Sequence, residues 1–392
     1  MVIYDVIIIG GGAAGLFCSA TFSHKVKGLI LEKTKSPGTK LLMSGSGQCN
    51  VTHSGSIKDF VNCYGNNGKK IRSCLYKNSN SALVNFLEEN GVPTFQREDG
   101  KIFPKSLSAL DVLNMLLNKS YKCGFELETN QEVLAIKKAD DIFEISTVTG
   151  IFYGKKVVVA CGGSSYPTTG SDGSLLSILE RDLGIKTVSS KPALVPIFVQ
   201  DYPFEDISGI SFSDIQLSIL RKDKLIAKGV GDVLLTHKSF SGPLILNFSR
   251  YVTTGDQIML NYVYPLTYEQ TMDRLKFQAK NNKKDLSNIL STEFNLPKRF
   301  CKILAEQADD HIKVLANSLC RQKFSISGVS GYNVAMSTSG GVSLDEIDLQ
   351  TMESKGIPGL FIIGEVLDID GDTGGYNLQF AFSSAKATNN TL

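Results

Sequence analysis

Short apolar runs that end in glycine recur along the chain, and each predicts a buried strand opening into a turn. Tyr4-Asp5-Val6-Ile7-Ile8-Ile9 is rich in β-branched residues, as in a strand covered on both faces of a parallel sheet. It runs into Gly10-Gly11-Gly12-Ala13-Ala14-Gly15, a predicted helix over 16–22, and a second strand, Gly28-Leu29-Ile30-Leu31, that ends on Glu32. Residues 155–159 repeat the pattern before Ala160-Cys161-Gly162-Gly163, and 359–363 repeat it before Gly364-Glu365. Behind the last of these come Gly374-Gly375-Tyr376-Asn377 and an apolar, helix-like segment over 378–387.

Between these runs the period changes. From about Val195 to Tyr264, short alternating segments at 215–220, 225–227, 233–235 and 257–263 predict a small barrel or sandwich. From Thr267 to about Lys323 the apolar spacing is helical (Met272, Leu275; Phe300, Ile303, Leu304; Ile312, Leu315, Leu319), with Pro297 as a helix start. The expected fold class is α/β. A discontinuous Rossmann-like domain, 1–192 and 331–392, is interrupted by a β-barrel-like region at 193–264 and a helical region at 265–330.

Composition narrows this reading. A length of 392 residues suggests two or three domains at roughly 150 residues each. Lys plus Arg is 41 against 39 for Asp plus Glu, which excludes a histone-like or acidic-tail protein. With 42% hydrophobic and 20% charged residues the chain is not intrinsically disordered. The eight cysteines are scattered without a CxxC pair, so reduced thiols and a cytoplasmic location are expected. The apolar N-terminal run lacks a basic flank, carries Asp5 and is broken by glycines, so it reads neither as a signal peptide nor as a membrane span. No membrane or DNA partner is expected. The balance is uneven locally: residues 265–324 hold eleven Lys/Arg and seven Asp/Glu, and Lys69, Lys70, Arg72 and Lys77 form a second basic group. These charges read either as a solvated face or as contacts to a polyanion.

The first glycine cluster carries chemistry. Gly10 permits a tight turn, Gly12 lets the backbone approach a pyrophosphate, and Gly15 allows close helix–strand contact. The helix start at Ala13 and Ala14 offers free N–H groups and partial positive charge to the anion, and Glu32 is placed to accept from ribose hydroxyls. The loop alone does not separate FAD from NAD. The mirrored strand–loop–helix near the C-terminus favours FAD, its helix start facing the electron-rich N1–C2=O edge of the isoalloxazine. No second GxGxxG follows a strand, so NAD(P)H is expected to dock transiently as electron donor, or another protein supplies the electrons. Four scattered histidines lack metal-ligand spacing.

Two longer blocks are more specific than the fingerprint: Ser44-Gly45-Ser46-Gly47-Gln48-Cys49-Asn50-Val51-Thr52, and Gly364-Glu365-Val366-Leu367-Asp368-Ile369-Asp370-Gly371-Asp372-Thr373-Gly374-Gly375-Tyr376-Asn377-Leu378-Gln379. With Gly100 to Pro104, Ser165-Tyr166-Pro167, Leu235-Thr236-His237-Lys238 and Gly340-Gly341-Val342, the chain resembles, over nearly its whole length, the BaiN/RdsA (YhiN-like) family of NAD(P)/FAD-dependent flavoproteins. It departs at Gln48, where many members have Arg, at Ser46, where Gly is common, and at His53, where Asn is common. It stops at Leu392, short of the usual final helix, whose end is expected to fray.

The resemblance implies an FAD site built from Gly10, Gly12, Ala13, Ala14, Gly15, Glu32, Lys33, Lys40, Ser44, Gly45, Gln48, Asn50 and Val133. From the later segments it adds Ala160, Gly162, Gly163, Gly364, Glu365, Gly374, Gly375, Asn377 and Leu378. Cys49, placed by the resemblance near the isoalloxazine, reads as a proton donor to a substrate carbon or as a small buried residue in a tight turn. His237 reads as an acid, a substrate ligand or a structural hydrogen-bonding group, and the hydroxyl of Tyr376 or of Tyr166 as a group that orients a substrate carbonyl. The activity implied is reduction of an activated C=C bond, of uridine in large-subunit ribosomal RNA or of a bile-acid-like steroid enone. A non-catalytic FAD-binding module is the third reading.

Overall fold

The β-branched strand cores, covered on both faces, build the sheet that the apolar runs predict. The computed structural model describes residues 2–281, 285–309, 311–389 and 391–392. The chain divides into two compact units, Met1–Pro192 with Tyr332–Leu392, and Ala193–Gly331.

In the first unit, Ile3–Ile9 lies at the centre of a nine-stranded sheet. Gly28–Leu31 and Ile151–Val159 flank it in parallel, Phe125–Glu128 lies outside the former and Leu360–Ile362 outside the latter. Val6 to Ile9 and Val157 to Val159 are buried, at the helix-covered centre that parallel strands require. Register sets the site: Ile9 pairs with both Leu31 and Val159, and Val159 pairs with Ile362. The carboxyl ends of four strands therefore finish level, where ligands bind in open α/β sheets. The first helix runs Ala13–Ala20, three residues earlier than its apolar spacing predicts, because Gly12 is extended and caps it. The C-terminal helix, Tyr376–Thr388, likewise starts two residues early behind Gly375. It is continuous to Thr388, and Lys156 Nζ donates to the Thr391 carbonyl at 2.7 Å.

The second unit contains a closed antiparallel barrel. Its strands, in spatial order, are Ile197–Val199, Phe240–Ser241, Lys224–Leu235, Ser211–Arg221, Gln257–Asn261 and Gln322–Val329. The segments expected at 225–227 and 233–235 are one strand. Four helices, Tyr268–Asn281, Leu286–Phe294, Lys298–Ala308 and Ile312–Cys320, separate the last two strands. Gln322–Val329 lies in the region expected to be helical, 265–330, but beyond the helical apolar spacing that ends at about Lys323, and it pairs with Ile197–Val199 and closes the barrel. Phe300, from a helix begun after Pro297, packs on Phe212 and Tyr262 with ring centroids 4.7 Å apart, tying helices to barrel in one core. Of the charges counted at 265–324, Lys283, Lys284 and Asp310 lie outside the described residues.

Candidate active site

The level strand ends bring the first glycine cluster against the other two. Gly10, at φ +110°, passes so close to the Ala160 carbonyl that a Cβ would stand 2.5 Å from its oxygen. Gly15 lies on the Gly10 carbonyl, also with no room for a side chain. Gly12 is different. A Cβ there would meet no protein atom within 4 Å, so its glycine faces space rather than packing. The first helix begins there with no side-chain cap, leaving the N–H groups of its first turn to an outside acceptor.

Glu32 ends the second strand as a buried carboxylate. It accepts from the Gly11 N–H (2.8 Å), the Thr34 N–H (2.8 Å) and the Thr34 hydroxyl (2.7 Å), leaving roughly one of its four lone-pair sites for a ribose hydroxyl. Lys33 turns away into ion pairs with Asp172 (2.7 Å) and Glu132 (2.8 Å). Val133 is buried beside Thr147 in the antiparallel part of the sheet. At Gly162 and Gly163 the close neighbours are the hydroxyls of Ser171 and Thr338, so those glycines answer to packing.

Lys40 stands on a one-turn helix, Thr39–Met43. Its Nζ is 2.6 Å from Glu365 Oε2 and also bonds the Ser165 hydroxyl. Ser165 Oγ donates to Glu365 Oε1 at 2.7 Å, and the Thr338 N–H donates to the same oxygen at 2.9 Å. Lys40 and Glu365 are expected residues. Ser165 and Thr338 come with them only because strand ends distant in sequence are adjacent, a relationship with no local signal.

The turn after Ser44 holds left-handed backbone at Gly45, Ser46, Gly47 and Cys49. Ser44 caps its own short helix by bonding the Leu41 carbonyl. Cys49 is fully enclosed, and burial pushes its thiol up to about 11, with a Ser44 hydrogen bond acting in the opposite sense. Asn50 Oδ1 is enclosed without a hydrogen-bond partner among the described residues. Gln48 Oε1 accepts from Arg97 Nη2 at 2.5 Å.

The C-terminal helix starts behind Gly374 and Gly375 without a side-chain cap. Gly375 lies 2.7 Å, measured from a would-be Cβ, from the backbone of Thr52, and Gly364 likewise from Ala14 Cβ. Asn377 clamps its own loop, accepting from the Gly371 N–H (2.8 Å) and donating to the Gly371 carbonyl (2.9 Å). Leu378 is half-buried. The Tyr376 ring is half-buried and stacked on His53 at 5.5 Å. Burial, and then a hydrogen bond with Cys63, hold its hydroxyl well above the usual tyrosine value. His53 has no sequence context, yet its ring joins this cluster, facing the Ser54 and Asp99 carbonyls at 2.7 and 3.0 Å. His237 belongs to the second unit, exposed in a turn closed by Thr236 and Ser239.

The model of the HI0933-like protein Rossmann domain family matches residues 4–391. The chain belongs to this family. A relative from Escherichia coli (strain K12), named ribosomal RNA dihydrouridine synthase, is 29% identical over 404 residues, covering 98% of this chain and 96% of that protein. One from Clostridium scindens, named 3-dehydro-bile acid delta(4,6)-reductase, is 28% identical over 400 residues, covering 96% of each. The crystal structure of a 3-ketosteroid-delta4-(5alpha)-dehydrogenase from Rhodococcus jostii RHA1 superposes with a TM-score of 0.51 at 15% identity, covering 99% of this chain and 97% of that one. At that identity the likeness is one of fold.

In this HI0933-like chain three features fit a bound FAD: the space at Gly12, the two uncapped helix starts and the enclosed acceptor of Asn50. Among the described residues no helix is long and apolar enough to cross a membrane.

Proposed function

We propose that the chain is an FAD-dependent oxidoreductase that reduces an activated C=C bond, with uridine in large-subunit ribosomal RNA as its substrate and NAD(P)H as its transient electron donor. The observation that carries the reading is the open Gly12 start of the first helix, set level with the Ala160 and Gly364 strand ends. Its N–H groups hold the pyrophosphate, and Glu32 takes a ribose hydroxyl. When bound, FAD supplies hydride from N5. The uncapped start of the C-terminal helix would lend positive potential to the N1–C2=O edge of a bound flavin. Lys40, Ser165 and Glu365 hold a fixed polar cluster beside the strand ends.

Proton delivery falls to Tyr376 in this reading. Cys49, which the sequence offers as the donor, has no face open to a ligand, whereas the Tyr376 ring, expected only to orient a carbonyl, is half-buried and its hydroxyl stays protonated at neutral pH.

The RNA substrate is supported by the name of the Escherichia coli relative and by the exposed run Lys69, Lys70, Arg72 and Lys77, with Arg72 5.3 Å from the ring of exposed Tyr76. The Clostridium scindens relative favours a second substrate class, a steroid enone. The test is a visible spectrum of the purified protein, followed by anaerobic NADPH and by dihydrouridine mapping in ribosomal RNA of a deletion strain. Flavin bands bleached by NADPH, with dihydrouridine lost on deletion, are expected. Bleaching with dihydrouridine unchanged overturns the RNA substrate. Bands that neither NADH nor NADPH bleaches mark a non-catalytic module or another donor, and a folded protein that takes up no FAD overturns the whole reading.

A further inference from the structure

Arg97 sits beside this site without a counter-charge. Its backbone is fixed in the turn between Thr94–Gln96 and Lys101–Pro104, its N–H donating to the Lys101 carbonyl at 2.9 Å and its carbonyl accepting from Gly100 at 3.0 Å. The guanidinium carbon lies over Phe103, 3.9 Å from the ring centroid, and Nη2 donates to Gln48 Oε1 at 2.5 Å. Both supports are neutral. Among the described residues Arg97 makes no ion pair: Asp99 is taken by Lys101 at 2.6 Å, and Glu98 is exposed. Two half-buried cations at the strand ends are neutralised by contrast, Lys40 by Glu365 and Lys33 by Asp172 and Glu132. A half-buried cation held only by a ring and an amide is set up to receive an anion from outside, because burying charge without a partner is unfavourable.

Its position indicates which anion. Phe103 packs on Gly45 in the turn that also holds the orphaned Asn50 acceptor. The Arg97–Gly100 turn lies against the His53 ring, which stacks on Tyr376 at the uncapped start of the C-terminal helix. The guanidinium therefore belongs to the end of the site away from the pyrophosphate loop.

We propose that Arg97 is the oxyanion-binding residue of the reduction, donating to the carbonyl oxygen conjugated with the C=C bond; this rests on the flavin reading above. Hydride from the dihydroflavin adds to the β-carbon of the conjugated system. The π pair shifts to form C=C–O⁻, and a proton then joins the α-carbon to restore the carbonyl, so one hydride and one proton saturate the bond. Negative charge collects on that oxygen only during the addition, when a preorganised guanidinium has most effect. Uracil and a steroid enone share this carbonyl, so the assignment holds for either substrate class. Gln48 is a positioning residue that aims the fork of Arg97.

The probe is p-nitrophenolate, an oxyanion on a flat ring, titrated into the FAD-loaded full chain and followed by its own absorbance and by the long-wavelength band of a phenolate stacked on flavin. The wild type binds it. Arg97→Gln weakens binding roughly ten- to hundred-fold, as loss of a charge-assisted hydrogen bond requires, with FAD content unchanged. Arg97→Lys restores part of the affinity. Gln48→Glu, which sets a carboxylate on the guanidinium, binds as weakly as Arg97→Gln and tests the proposal if the arginine variants fail to fold. Glu98→Gln binds as the wild type does. Undiminished binding by Arg97→Gln, equal weakening by Glu98→Gln, or a yellow wild type that ignores the probe overturns the assignment. A colourless protein overturns the flavin reading instead.

Discussion

Lys40 and Glu365, 325 positions apart, meet at 2.6 Å, with Ser165 and the Thr338 N–H completing the carboxylate's hydrogen bonds. Their side chains keep 26% and 20% of their exposure, between a surface pair and a buried one. Lys40→Met strands a partly desolvated carboxylate, and the expected loss of stability is about 1–3 kcal/mol. Urea unfolding of the cofactor-free protein measures it. A midpoint equal to that of the wild type shows the pair to be solvent-screened.

The two ends of the glycine motif are expected to fail differently. Gly12→Val adds atoms where no protein atom lies within 4 Å, so the fold should survive while FAD affinity falls more than about ten-fold. Gly15→Ala drives a methyl into the Gly10 carbonyl and should destabilise the apoprotein by about 1–3 kcal/mol. Paired melting and flavin-binding curves separate the outcomes. If Gly12→Val melts early and keeps its flavin, the space at Gly12 is not the pyrophosphate site.

Tyr376→Phe is expected to slow product formation by roughly 10²–10⁴-fold while leaving NADPH bleaching nearly intact, the range for loss of a general acid. Cys49→Ser should retain most turnover, because the thiol is enclosed. Rapid mixing that resolves the two half-reactions checks both. Loss of turnover in Cys49→Ser with Tyr376→Phe unaffected would return the proton donor to Cys49.

Alkaline pH should weaken the fold through its buried thiols. Burial raises Cys49 to about 11, and Cys18 and Cys74 to about 12, from an ordinary 9.0. The folded state holds these protons longer, so their stabilising contribution is whole below pH 9 and is lost as pH rises toward 11–12. Each thiol contributes a slope of about 1.4 kcal/mol per pH unit in that window. Urea midpoints at pH 7.5 and 10.5 should differ accordingly, and Cys49 should resist alkylation at pH 8 in the native protein. A flat profile between the two pH values contradicts the burial argument.

The amino-acid order alone determined the strand–glycine–helix unit at 3–20, because its requirements are local. β-Branched residues specify a strand covered on both faces, Gly10 a turn at positive φ, and Gly15 an approach that admits no Cβ. The later glycine-ended strands at 151–159 and 360–362 were legible on the same ground, and so was the mixed character of the insertion. Helix starts were displaced by two or three residues, since an extended Gly12 and a left-handed Gly375 cap a helix before its apolar face begins. Gln322–Val329 carries no strand signal that separates it from the helical region before it, and only pairing with Ile197–Val199, over a hundred residues earlier, makes it the closing barrel strand. The same distinction runs through the site. Tertiary structure decided that Ser165 and Thr338 serve Glu365, that Arg97 reaches Gln48, that Cys49 is sealed and that His53 stacks on Tyr376. Those relationships arise from strand register and hairpin packing, which bring together residues whose own neighbours in the chain carry no trace of the contact.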